Sequence, residues 1–91
     1  MTKKRTKLEV TKDLLEILGK GRKVKKTHLI YKANLSNNSI KPYLDGIIKN
    51  GLIVEVKENG KNIFMISEKG VAFLEEFNKI KIFTDAYGLG Y

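Results

Sequence analysis

Arg22, Lys23, Lys25 and Lys26 place four cations within five residues, and Thr27 adds a hydroxyl directly after them. Side chains of these types at this density bind phosphate. Ammonium and guanidinium groups neutralise it, and the free N–H groups of a helix starting there hydrogen-bond it. The plainer reading of the cluster is a solvated loop. Further along stand Asn37, Asn38, Ser39 and Lys41. Asparagine pairs bidentately with adenine and lysine donates to guanine, so this second set has the chemistry of base edges. Its plainer role is helix capping, and one of Ser36, Asn37 and Asn38 is expected to be the cap. A third set, Lys57, Lys61 and Asn62, surrounds a turn and could touch a nucleic-acid backbone, although Glu55 and Glu58 offset much of that charge.

No set of residues supports catalysis. The sequence has no paired nucleophile and base, no phosphate-cradling glycine loop and no carboxylate pair with a positional reason to be close. "YGLGY" follows no strand and is not a dinucleotide fingerprint. With no cysteine and a single histidine, His28, a metal site is not expected, nor is a cofactor. No small-molecule ligand is evident. The apolar runs "LIV" and "IFMI" fall far short of the roughly 20 residues that cross a bilayer, so no membrane partner is expected. "MTKKRTK" leads into no apolar stretch and does not read as a secretory signal, so a cytoplasmic protein is expected.

The charge is unevenly spread. Residues 1–32 hold eleven Lys or Arg against Glu9, Asp13 and Glu16, while residues 33–91 hold seven of each sign. The whole net charge of +8 therefore lies in the first third. A local positive field of that kind suits a polyanion. Lys3, Lys4, Arg5 and Lys7 add a basic arm that could follow a DNA backbone or minor groove; a disordered terminus is the alternative.

Several elements must position these groups. Leu8, Val10, Leu14, Leu15, Ile17 and Leu18 recur at helical spacing, and Gly19 and Gly21 stop the run. "KGRKVKK" is a basic connection with room for a short extended segment. "THLIYKANL" makes a two-turn helix. Ile40, Leu44, Ile47 and Ile48 mark the buried face of the next helix, which Asn50 and Gly51 end. Pro42 interrupts that pattern, so the helix is expected to start late, with Asn38 or Ser39 as its cap. Tyr31 and Tyr43 are expected to pack their rings in the core. Asn59-Gly60 between "LIVEVK" and "KNIFMIS" predicts a hairpin pairing Lys57 with Asn62, Val56 with Ile63, Glu55 with Phe64, Val54 with Met65 and Ile53 with Ile66. Ser67 caps a last helix on which Phe73, Phe77, Ile80, Thr84, Tyr87 and Tyr91 form a heptad-like seam. Gly88 and Gly90 should fray its end.

This order, helix, basic connection, paired short helices, hairpin, long helix, is that of an α+β, mostly α, winged helix-turn-helix. There the second paired helix enters the major groove and the hairpin reaches the backbone. "KKTHLIYKANLS", "YLDGIIKNGLI" and "ISEKGVAFLEEF" also resemble segments of small archaeal winged-helix DNA-binding proteins, including chromatin-associated ones. The resemblance covers roughly residues 8–83. It implies a homodimer on double-stranded DNA, joined through the last helices, with Phe77, Ile80, Phe83, Thr84 and Tyr87 at the interface. Its last helix is shorter than in the long coiled-coil members, and Pro42 replaces a helix-favouring residue.

The expected organisation is a basic arm at 1–7, a winged-helix domain at 8–67, and a dimerisation helix with a frayed tail at 68–91. The expected function is duplex DNA binding, as a transcriptional regulator or a chromatin protein and not an enzyme. Two alternatives stand beside it: an RNA-binding protein, and a protein-interaction module that docks through Val54, Val56, Ile63 and Met65.

Overall fold

The structure is a computed structural model that describes residues 5–88. Lys3, Lys4, Gly90 and Tyr91, expected in the arm, the frayed end and the seam, lie outside the described residues. In chain order the elements are α1 (Lys7–Gly21), β1 (Val24–Lys25), α2 (Lys26–Ala33), α3 (Asn37–Lys49), β2 (Ile53–Glu58), β3 (Lys61–Ile66) and α4 (Glu68–Ala86). The strands form one antiparallel sheet in the order β1-β3-β2.

A capping box starts α1. Thr6 Oγ1 accepts from the Glu9 N–H at 3.1 Å, and Glu9 Oε1 accepts from the Thr6 N–H at 2.9 Å. Leu14, Leu15 and Leu18 are completely buried on one face, each contributing about 2 kcal/mol by leaving water. Gly21 is required where the helix ends, because a Cβ there would come within 2.6 Å of Val24 Cγ2. The extended segment expected in the basic connection is β1, which pairs Val24 with Phe64 and Lys25 with Ile63.

The turn between α2 and α3 is made by Asn34, in the left-handed conformation at φ 57°. Ser36 then caps α3, its Oγ accepting from the Ser39 N–H at 3.0 Å. The late start expected from Pro42 is therefore wrong. The helix begins at Asn37 and makes its first backbone bond from Ile40 N to Ser36 O at 3.0 Å, so Pro42 stands inside it. The serine cap and the burial of Ile40 and Leu44 hold a start that the proline opposes by about 3 kcal/mol. The end is as expected: Gly51 N bonds to Ile48 O at 3.0 Å and Leu52 N to Ile47 O at 2.9 Å, a Schellman closure around Gly51 at φ 77°.

The hairpin has the expected register, from Ile53 opposite Ile66 to Lys57 opposite Asn62, around Asn59 and Gly60 at φ 52° and 75°. Ile53 and Phe64 enter the core that α1, α2 and α3 build. On the opposite face Ile63 is buried, Val56 and Met65 are half-buried, and only Val54 is exposed. That face is smaller than the four apolar residues suggested.

Ser67 starts α4 and ties it to the end of α3. Its Oγ accepts from Gly70 N at 3.0 Å and donates to Gly51 O at 2.5 Å, and its N–H donates to Leu52 O at 3.0 Å. Phe73 and Leu74 then pack on the core. Beyond Phe77 the helix carries exposed apolar side chains.

Candidate nucleic-acid interface

The pairing of β1 with β3 brings together residues that are far apart in sequence. Lys25, Lys26 and Thr27, at the start of α2, face Lys61 and Asn62 of β3 across a cleft of about 430 Å³. Among the described residues no ion pair engages Lys25, Lys26 or Lys61. Three uncompensated ammonium groups around a hydroxyl, an amide and the first turn of α2 are suited to a phosphate chain. Lys57 lies on the outer side of the hairpin, with Glu55, Val56 and Asn62.

The other cations of the cluster are placed differently. Lys23 reaches the hairpin tip and pairs with Glu58 at 2.9 Å. Both side chains are exposed, so the pair is weak and can exchange for a phosphate. Arg22 is exposed at the end of α1, with φ 63° and ψ −79°, near the γ-turn geometry that side-chain-bearing residues adopt only under strain. Glycine at position 22 should raise stability by about 1 kcal/mol and, if the guanidinium grips phosphate, weaken DNA binding. Thermal melts and binding titrations of Arg22→Gly read the two effects separately.

Much of the positive charge near the N-terminus is spent within the fold. Arg5, expected in the arm, ion-pairs with Asp13 at 3.0 Å and donates to Ala33 O at 2.7 Å. It thus pins the start of α1 to the end of α2, where the last carbonyls lack helical partners. Lys12 sits against Glu16 at 2.8 Å and Asp13 at 3.1 Å. The hydrogen bond to Glu16 holds its pKa above the ordinary lysine value, aided by Asp13 and opposed by burial.

Along α3 the residues divide by face. Ile40, Leu44 and Ile47 are buried, while Asn38, Lys41, Pro42, Asp45 and Lys49 form an exposed stripe at spacings of three and four. Asn37 is exposed beside it. Ser39 is exposed too, but its hydroxyl accepts from Ser36 Oγ at 2.8 Å and its N–H is the one Ser36 caps, so the plainer role applies to it. Tyr43 packs against the core as expected. Tyr31 does not: the residue is 80% exposed, on the side of α2 turned away from the buried Leu29 and Ala33. His28 is also exposed.

On α4, Ile80 (60%), Phe83 (61%) and Tyr87 (68%) are exposed on one face, with Thr84 half-buried among them. Phe83 and Tyr87 touch, with ring centroids 4.7 Å apart. Phe77 is 6% exposed and packs within the chain beside Phe73, leaving it little surface to offer a partner. No described helix is long and apolar enough to cross a membrane, and the described residues contain no group of His, Asp and Glu side chains able to hold a metal ion.

The family model described as winged helix-turn-helix matches residues 4–84. A sequence relative is the uncharacterized protein MJ0287 of Methanocaldococcus jannaschii, 36% identical over 67 residues. That match covers 74% of this chain and 64% of the relative, so the chain spans less than two thirds of its length. Among solved structures, Sso10a-2, a DNA-binding protein from Sulfolobus solfataricus, is similar with a TM-score of 0.79 and 29% identity, over 92% of this chain and 87% of that one. F93 from STIV, a winged-helix DNA-binding protein, is similar in fold with a TM-score of 0.70 and 20% identity, over 87% of this chain and 95% of that one.

Proposed function

The chain belongs to the winged helix-turn-helix family, and we propose that it binds double-stranded DNA as a homodimer, serving as a transcriptional regulator or a chromatin component. The observation that carries this reading is the cleft in which Lys25, Lys26 and Thr27 meet Lys61 and Asn62. A phosphate backbone lying there is gripped by α2 and by the hairpin at once. The exposed stripe of α3 then faces the groove with Asn38 and Lys41, and Asn37 stands at its entrance. Arg22, Lys23 and Lys57 extend the grip on either side. Sso10a-2 and F93, both described as DNA-binding, support the same reading.

Phosphate contacts release counterions, so affinity for duplex DNA should fall steeply as salt rises, by roughly one unit of log–log slope for each phosphate neutralised. A fluorescence-anisotropy titration from 50 to 200 mM salt checks this, with duplex RNA as competitor. No duplex binding at low salt would sink the proposal, and preference for RNA would replace it.

The homodimer rests on Ile80, Phe83 and Tyr87, exposed along one face at the end of α4 with the half-buried Thr84 among them. Pairing two such faces sets two α3 helices on successive half-sites. Ile80→Lys with Tyr87→Lys should give a folded monomer, because neither side chain belongs to the core. Sedimentation reads the mass; an unchanged dimer mass would place the interface elsewhere.

A further inference from the structure

We propose that Pro42 is a specificity-determining residue, whose ring packs on the 5-methyl group of thymine. The inference rests on the DNA-binding reading above. A proline at position 42 has no N–H, so the helical bond from that position to Asn38 O does not form, although the helix is regular enough to bond Ile40 N to Ser36 O two positions earlier. Core packing does not explain the residue. Pro42 is exposed, while the buried face of α3 is made by Ile40, Leu44 and Ile47. Capping does not explain it either, since Ser36 performs that task with its own hydroxyl.

Its position is central to the stripe. Asn38 precedes it by one turn, Lys41 adjoins it and Asp45 follows on the next turn, all exposed. A proline ring offers a phosphate no donor. Asp45 repels a phosphate as well, so the middle of this stripe is chemically matched to base edges rather than to backbone. In the major groove the A·T pair alone presents both a methyl group and an adenine N6 amine. An exposed apolar ring is the complement of the methyl edge of that pair. Lys41 next to it supplies a donor for a neighbouring guanine.

The test uses one A·T-rich duplex prepared in two forms, with thymine or with deoxyuridine at every T, which removes only the methyl groups. The intact protein should bind the deoxyuridine form roughly three- to five-fold more weakly, the value of one buried methyl. Pro42→Ala restores the N–H and removes the ring. It should melt at a higher temperature, which shows that it is folded, and should bind the two duplexes equally. Pro42→Val, which restores an apolar side chain, should regain part of the methyl sensitivity. If Pro42→Ala keeps the full sensitivity, or if the intact protein shows none while binding both duplexes, the proposal is wrong and the DNA-binding reading stands. If the intact protein binds neither duplex at low salt, both readings fall together.

Discussion

Lys25→Glu, Lys26→Glu and Lys61→Glu combined should lower affinity for duplex DNA by on the order of a hundredfold or more at 50 mM salt, with little change in melting temperature. The three ammonium groups line one cleft and no ion pair among the described residues engages them; Lys61 stands opposite Glu58 across the hairpin, a placement whose reversal costs the fold at most about 1 kcal/mol. Removing three phosphate contacts should also flatten the salt dependence by about three units of log–log slope. Reversing the sign adds repulsion to the loss. The slope is the sharper readout, because a general drop in affinity could follow from a disturbed fold whereas a reduced slope counts lost contacts. Binding that keeps both its strength and its slope would remove the cleft from the interface.

The second large effect concerns the fold alone. Gly70→Ala should cost more than about 3 kcal/mol, and Gly70→Val should leave the chain unfolded at ambient temperature. Gly70 is buried in the first turn of α4, where an added Cβ would overlap the Leu52 carbonyl oxygen and lie 2.7 Å from Ile66 Cγ1. The carbonyl cannot retreat cheaply, since the Ser67 N–H bonds to it at 3.0 Å. For a domain of this size each kcal/mol is worth about 4–8 °C in melting temperature, so the alanine variant should melt at least about 12 °C lower. Gly46 is the contrasting position. It lies inside α3 with no atom within 4 Å of an added Cβ, and Gly46→Ala should stabilise by about 0.5–1 kcal/mol. Circular-dichroism melts of both variants check the opposite signs; equal melting temperatures would refute the argument from space.

Local chemistry made much of the architecture readable. Asn59-Gly60 tolerates the left-handed turn that a two-residue hairpin demands, and every pair in β2 and β3 follows from it. The end of α3 and the start of α4 were equally open, because Gly51 and Ser67 act on backbone groups only a few residues away. Pro42 misled because a proline's cost is visible in sequence while the compensating burial of Ile40 and Leu44 is not. Arg5 misled for a similar reason. Its partners Asp13 and Ala33 are brought to it by the packing of α1 on α2, and its charge alone resembles that of any arm. Tyr31 looked like a core residue by composition, but the one face that α2 buries is filled by Leu29 and Ala33. At the candidate site, the density of charge singled out Lys25 to Thr27, which the structure places along one cleft. That Lys61 and Asn62 would stand across from them was not legible, since it depends on a two-residue strand, β1, finding β3.

The serine that joins α3 to α4 governs more than local geometry. Gly51, Leu52 and Ser67 fuse the exit of the helix proposed to enter the groove to the entry of the helix proposed to dimerise. In a two-fold assembly that joint acts as the fixed angle of a caliper, and the two jaws are the α3 helices. On the proposed reading, the span between the jaws, counted in base pairs along the duplex, would then be set by these three residues. Ser67→Ala should therefore change which half-site spacing is preferred before it changes which bases are preferred.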